Sequence, residues 1–225
     1  MPKLIWDQVG KRFYETGVDR GVLYLPNESG KYLKGVAWNG LTAVNQQPEG
    51  GEDNPQYADN IEYLNLVSAE KFKATIEAYT YPVEFEECDG SRRIAKGITI
   101  GQQTRKPFGF SYRTIIGNDT LGNDLGYKIH LVYGAKAAPS EKSYNTVNDS
   151  PEAITFSWSV SGSPVAVPGF RPTAIISIDS RNTSTAGMQA IEEALYGSDE
   201  KEPNLPLPED ILAMLETTGD LLDVG

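Results

Sequence analysis

Cysteine, histidine and long apolar runs are all scarce in this 225-residue sequence. Cys88 is the only cysteine, so an intramolecular disulfide and a Cys/His zinc set are both excluded. His130 is the only histidine. It shares the parity of Lys128, the polar side of its segment, and is expected in solvent rather than in a Ser/His/Asp triad. No apolar stretch reaches the roughly eighteen residues of a membrane-spanning helix. The opening "MPKLIWDQVGKRFYETG" carries neither a basic region leading into an apolar one nor a transit-peptide pattern, so synthesis and folding in a cytoplasm are expected. Phosphate-loop and EF-hand patterns are missing as well: "PEGGED" and "GNDTLGNDLG" do not join a strand to a helix ahead of Lys-Ser/Thr, and "DNPQYADNIEYL" lacks alternating ligands. Neither a catalytic constellation nor a cofactor or metal site is expected.

What is abundant is negative charge, unevenly placed. The formal net charge is −11. Residues 45–90 hold eleven acids and two lysines, and residues 185–225 hold ten acids and one lysine. Residues 91–184 hold eleven bases against six acids, and residues 1–44 six bases against four acids. Acidic blocks repel nucleic acid, because holding a phosphate backbone requires Lys and Arg to displace its counterions.

Period-two alternation dominates the chain. "AITFSWSVS" sends Ile154, Phe156, Trp158 and Val160 one way and Thr155, Ser157 and Ser159 the other. "KPFGFSYRTII" and "GYKIHLVYG" repeat the pattern, and the Gly/Asn/Asp-rich segment between them predicts a hairpin. "EKFKATIEAYTYPVEFEE" alternates, then changes parity at Val83 and Phe85, which a bulge near Tyr81 and Pro82 would explain. Further strands are expected at "DRGVLYLP", "KGVAWNGLTAVN", "NIEYLNLVS", "KGITIG" and "TAIISID". About eight to ten short strands between turn signals predict a sandwich or barrel. Trp38 and Trp158 both belong to alternating apolar faces and are expected in the core.

Helices come late. Met188, Ile191 and Leu195 are helically spaced after Ser184 or Thr185 as N-cap and before Gly197. Beyond the linker "SDEKEPNLPLPED", Pro208 suits a first turn, and Ile211, Leu212 and Leu215 share a face ending at Gly219. The organisation expected is a β-sandwich domain over residues 1–197, with a long loop at 45–60, followed by a C-terminal linker and short helix at 198–225. A terminal helix on such an arm suggests docking on a neighbour. Glu84, Glu86 and Glu87 offer the one carboxylate cluster in which a glycosidase pair could be sought. At a strand end such acids more often keep an edge soluble. A carbohydrate-binding module built on the tryptophans is the further alternative.

Several ordered segments carry a resemblance. "WDQVGKRFYETGVDRGVLYLP", "NGLTAVNQQPEGGEDNPQYADNIEYLNL", "ATIEAYTYPVEFEECDG", "KPFGFSYRT", "SPEAITFSWSV", "ISIDS" and "IEEALYG" together resemble the major tail, or tail tube, protein of long-tailed (siphovirus) phages of Gram-positive bacteria. The resemblance runs from about Trp6 to Tyr196. It implies two packed antiparallel sheets with a flanking helix, and copies closing into six-membered rings that stack into a tube. It also implies a tape-measure protein in the lumen, tail initiator or baseplate and terminator proteins at the ends, DNA only in transit, and location in the virion tail. Other phage ring or decoration proteins share such folds and remain alternatives. In such families a long loop reaches the adjacent ring. Residues 45–60 match it in position, with Glu49, Glu52, Asp53, Tyr57 and Asp59 as contact residues. Arg92, Arg93, Lys96, Arg105 and Lys106 are the candidate basic partners.

Overall fold

A computed structural model describes residues 3–147, 149 and 152–221. The alternation read in the sequence becomes two packed antiparallel sheets. One layer is built on the long strands β1 (Phe13–Tyr24), β9 (Phe108–Asn118) and β10 (Gly122–Ala137), in that order, with β2 (Gly35–Trp38) outside β1 and β14 (Ile175–Asp179) against β10. The other layer joins β11 (Phe156–Ser161), β6 (Lys73–Ala78) and β3 (Leu41–Gln46). β10 belongs to both: its middle pairs with β9 and β14, and its end, Lys136 and Ala137, pairs with β11 after a register shift between Val132 and Ala135. Three two-stranded hairpins complete the strands: β4 (Asp53–Ala58) with β5 (Ile61–Val67), β7 (Arg92–Ala95) with β8 (Ile98–Ile100), and β12 (Val165–Val167) with β13 (Phe170–Thr173).

Side chains alternate across the first layer, so its two faces serve two cores. Leu23, Phe108, Phe110, Tyr112 and Val132 point at the second sheet and meet Ala74, Ile76, Trp158 and Val160 there. Val22, Tyr24, Ile129, Leu131 and Tyr133 point the other way, at α1 (Thr185–Tyr196) and α2 (Pro208–Thr218). Trp38 and Trp158 are both buried, with ring centroids 5.5 Å apart. α1 starts on its Ser184 cap, whose hydroxyl accepts from the Gly187 amide, and ends at Gly197. It buries Met188, Ile191 and Leu195.

Four expectations need correction. The segment after Ala78 does not continue as a bulged strand: Pro82 introduces a short 3-10 turn over Val83–Glu87. That turn drives Phe85 end-on into the core against Trp38, Phe108 and Trp158. His130 is not solvated. Its side of β10, shared with Lys128, is also shared with Val132 and with the cross-strand neighbour Tyr112, both buried against the second sheet, so that side is not a solvent face at this position. The ring lies stacked on Tyr112, between the hydroxyls of Thr114 (3.0 Å) and Ser177 (2.9 Å), and burial lowers its pKa.

The C-terminal helix docks on its own chain instead of reaching for a neighbour. Leu205 and Ile211 are buried in the helix-side core, and the Tyr133 hydroxyl donates to the Pro206 carbonyl at 2.9 Å. Gly109 lacks a side chain where a Cβ would overlap Leu205, which lets this segment lie against the sheet. Asp220 then accepts from the Ser184 amide (2.8 Å), the Ser184 hydroxyl (2.7 Å) and Thr218 (2.6 Å), tying the end of α2 to the start of α1. The fourth correction concerns the supposed loop at 45–60, and it shapes the candidate site.

Candidate functional site

Residues 45–60 are not an irregular loop but the outgoing half of a two-stranded ribbon. The β3–β6 ladder continues past the sheet through backbone bonds from Gln47 to Lys73 (2.8 Å), between Glu49 and Lys71 in both directions (2.9 and 2.6 Å), and from Ser68 to Glu52 (3.1 Å). It then merges into the β4–β5 pair. Asp59 and Asn60, both at positive φ, close the tip, as the two central positions of a tight hairpin turn require. Gly50 and Gly51 supply the joint midway. Gly50 sits at φ +90°, where a Cβ would collide with the Ala69 carbonyl oxygen. At about 3.3 Å per residue, residues 47–58 give each strand of the ribbon a contour length of about 40 Å.

The ribbon is exposed along both strands, on both faces. Leu64 and Leu66 share one face with Gln56 and Asn54, while Asn65 and Val67 share the other with Pro55 and Asp53. Tyr57 and Tyr63 are 70% and 71% exposed. A two-stranded hairpin with no sheet beneath it is marginal in water, and contiguous exposed apolar surface marks a contact site. The acidic outgoing strand was visible in the sequence. The apolar return strand, "IEYLNLV", was read only as a strand and not as exposed surface.

The predicted contact residues fall along this ribbon. Glu49 lies near the root and is ion-paired with Lys73 of its own chain. Glu52, Asp53, Tyr57 and Asp59 lie further out, and the three acids have no ion-pair partner among the described residues. The predicted basic partners separate into two kinds. Arg93 is bonded to Glu86 at 2.9 Å and Lys106 is paired with Glu87, so both are neutralised at home. These same pairs occupy two of the three carboxylates of the acidic cluster. Arg92 and Lys96 stand on the exposed β7–β8 hairpin with no ion pair among the described residues, and Arg105, half-buried at its base, has no acceptor for its Nε proton.

No protein-family model matches the chain, and neither does any curated protein. Solved structures do match, weakly. They include the sheath–tube complex of an extracellular contractile injection system, at 11% identity over 71% of this chain and 88% of that one, with a TM-score of 0.33. The baseplate of the anti-feeding prophage matches at 10% identity over 78% and 97%, with a TM-score of 0.35. A sheath/tube terminator of the first system matches at 11% identity over 78% and 99%, with a TM-score of 0.28. Similarity of this degree carries no argument about what the present chain does.

One groove, of about 490 Å³, opens where the β1 bulge faces β2 and β3, above Trp38 and beside Tyr196. Its single acid, Asp19, is held by Arg113 through two bonds of 2.7 and 2.5 Å. The Tyr196 hydroxyl is buried without a hydrogen-bond partner among the described residues, and burial raises its pKa to about 12. The groove thus presents an apolar floor with no free pair of carboxylates. Cys88, the lone thiol, is buried under the core and pushed up to about 12, which leaves it a packing residue and not a nucleophile.

Proposed function

We propose that this chain is a structural subunit that assembles with identical copies into stacked rings, forming the tube of a phage tail. The exposed ribbon at 47–72 carries this reading. It displays apolar side chains on both faces and, among the described residues, pairs with nothing beyond its root. A chain that holds such an element in water gains by burying it on a partner. Among the described residues β3 and β14 each pair with a strand on one side only, and β2 is held on its outer side only by the Gly35 amide on the Pro203 carbonyl; closing a ring of copies would cover such edges. Six-membered rings, a tape-measure protein in the lumen, baseplate and terminator partners, a Gram-positive host and passage of the genome follow from the resemblance of the ordered sequence segments. The acidic balance suits a lumen along which DNA slides, since carboxylates do not grip its backbone.

Negative-stain imaging of concentrated protein tests the reading. The intact chain is expected to form tubes or rings of uniform diameter. A chain in which residues 50–69 are replaced by a short turn is expected to stay unassembled while melting at the temperature of the parent monomer. Equal assembly by both would refute it.

A further inference from the structure

The β7–β8 hairpin is a chemical complement to the ribbon. From Ser91 to Gly101 it carries Arg92, Arg93 and Lys96 and no acid. All of its strand residues are exposed, among them Ile94, Ile98 and Ile100. The outer ribbon, residues 52–67, carries Glu52, Asp53, Asp59 and Glu62 and no base, together with its exposed leucines and tyrosines. Each element is thus a bare two-stranded hairpin with an apolar surface and charge of a single sign, and the signs are opposite.

We propose that the outer ribbon of one copy docks on the β7–β8 hairpin of a second copy, with Arg92 and Lys96 meeting the acids around the tip and Ile94 and Ile98 meeting the ribbon's apolar side chains. The inference rests on the self-assembly reading and names the receiving surface. Arg92 and Lys96 are singled out because Arg93 and Lys106 already have partners in Glu86 and Glu87. Charge on Arg105, whose Nε has no acceptor, adds to the positive field at the hairpin's base. A second exposed basic segment, residues 3–12, is a poorer receiver. It contains Asp7, and its Arg12 is bonded to the Asp7 carbonyl at 2.9 Å and lies 3.9 Å from Asp119. Because ribbon and receiver are different surfaces of one chain, a copy that receives one ribbon can offer its own to a third, so the contact extends head-to-tail unless two copies exchange ribbons reciprocally.

A charge-swap series read by sedimentation velocity and negative-stain imaging decides the matter. R92E/K96E is expected to raise the concentration needed for assembly by about tenfold or more, and D59K/E62K to do the same. Combining all four substitutions is expected to restore assembly to within roughly threefold of the parent, since the attraction is re-formed with its signs exchanged. R92Q/K96Q, which removes charge without adding any, is expected to fall between parent and reversal, and thermal melts should stay at the parent's midpoint throughout. The proposal is overturned if R92E/K96E assembles like the parent, if the fourfold variant is no better than either pair, or if K3E/K11E does the greater damage. Should the shortened ribbon abolish assembly while R92E/K96E does not, the self-assembly reading stands and the assignment of the receiver falls. A parent chain that stays monomeric at any attainable concentration, alone or with a tail initiator complex, would remove both.

Discussion

The replacement of Leu64 and Leu66 by alanine separates a docking role for the ribbon from a folding role. Both residues point to the same ribbon face, opposite Gln56 and Asn54, and neither packs in either core. Leu64 is 42% exposed and Leu66 57% exposed in the isolated chain. Each leucine-to-alanine change removes three carbons, worth about 0.8 kcal/mol apiece when fully buried. Only the surface still open in the monomer is available to a partner, about half, so each change should weaken a contact by about 1–1.5 kcal/mol and the pair by about 2–3 kcal/mol. That corresponds to roughly 30- to 150-fold in the dissociation constant. Folding of the monomer should shift by no more than about 0.5 kcal/mol, because substitutions on open surface seldom do more. The assay is the threshold concentration for pelletable assemblies alongside a thermal melt of dilute protein. A melt lowered by several degrees with an unchanged threshold would refute the reasoning, since it would make the leucines part of the monomer's own packing.

Three other substitutions probe features of the fold. Asn60→Val forces a β-branched residue into the left-handed region at the ribbon tip (φ +64°); the cost of about 1–2 kcal/mol should appear as faster amide exchange across residues 53–67 with no change in the global melt. Ile211→Ala hollows the contact between α2 and the sheet, and a loss of about 2–4 kcal/mol in denaturant unfolding is expected; no loss would mean that α2 is not part of the folded core. His130 supplies a pH signature. Its pKa is lowered by burial, with nearby Glu15 opposing the shift and Lys128 adding to it. A base depressed in the folded state contributes in full above its unfolded value of about 6.5, and that contribution fades as pH falls through 6.5 toward the folded value. The parent should therefore lose more stability between pH 7 and 5 than His130→Gln, and parallel curves would refute the assignment.

The parts of this fold legible in the sequence are those where local pattern and burial agree. Phe108, Phe110 and Tyr112, and Tyr127, Ile129, Leu131 and Tyr133, were read as one-sided faces of a hairpin, and the two strands do pair through Asn118 and Gly122. They line opposite cores, because the shared sheet is covered on both sides. α1 was legible from cap to Gly197 for the same reason. Failures came where an identical pattern has two physical outcomes. Alternation in Ile61, Tyr63 and Val67 signals a strand, yet whether such a face is buried by its own chain or awaits another is not a local property. The Pro-rich run before Pro208 looked like a linker. What fixes it is distant: the Tyr133 hydroxyl donates to the Pro206 carbonyl, and the Leu205 amide donates to the Tyr32 carbonyl. His130 shares the parity of Lys128, but it also shares that of Val132, and the same side of β10 passes from solvent to the second sheet along its length, which a polar neighbour in the sequence does not reveal.

The distribution of charge bears on which assembly such a chain can make. Two ribbons laid side by side would match apolar surface with apolar surface, as any two identical exposed strands can. They would also bring together two sets of Glu52, Asp53, Asp59 and Glu62, with no basic group in residues 52–67 to offset them. Like charges at such distances oppose the pairing. The same acids favour contact with the basic, equally apolar β7–β8 hairpin. Interleaving carboxylates with tyrosines and leucines thus does two things at once: it keeps a ribbon of about 40 Å from pairing with its own kind, and it leaves open the contact between unlike surfaces. A contact between unlike surfaces is able to propagate from copy to copy, whereas a contact between like surfaces ends at two copies. On this argument the position of the acids along the ribbon, rather than their total, is what directs the chain toward an extended assembly.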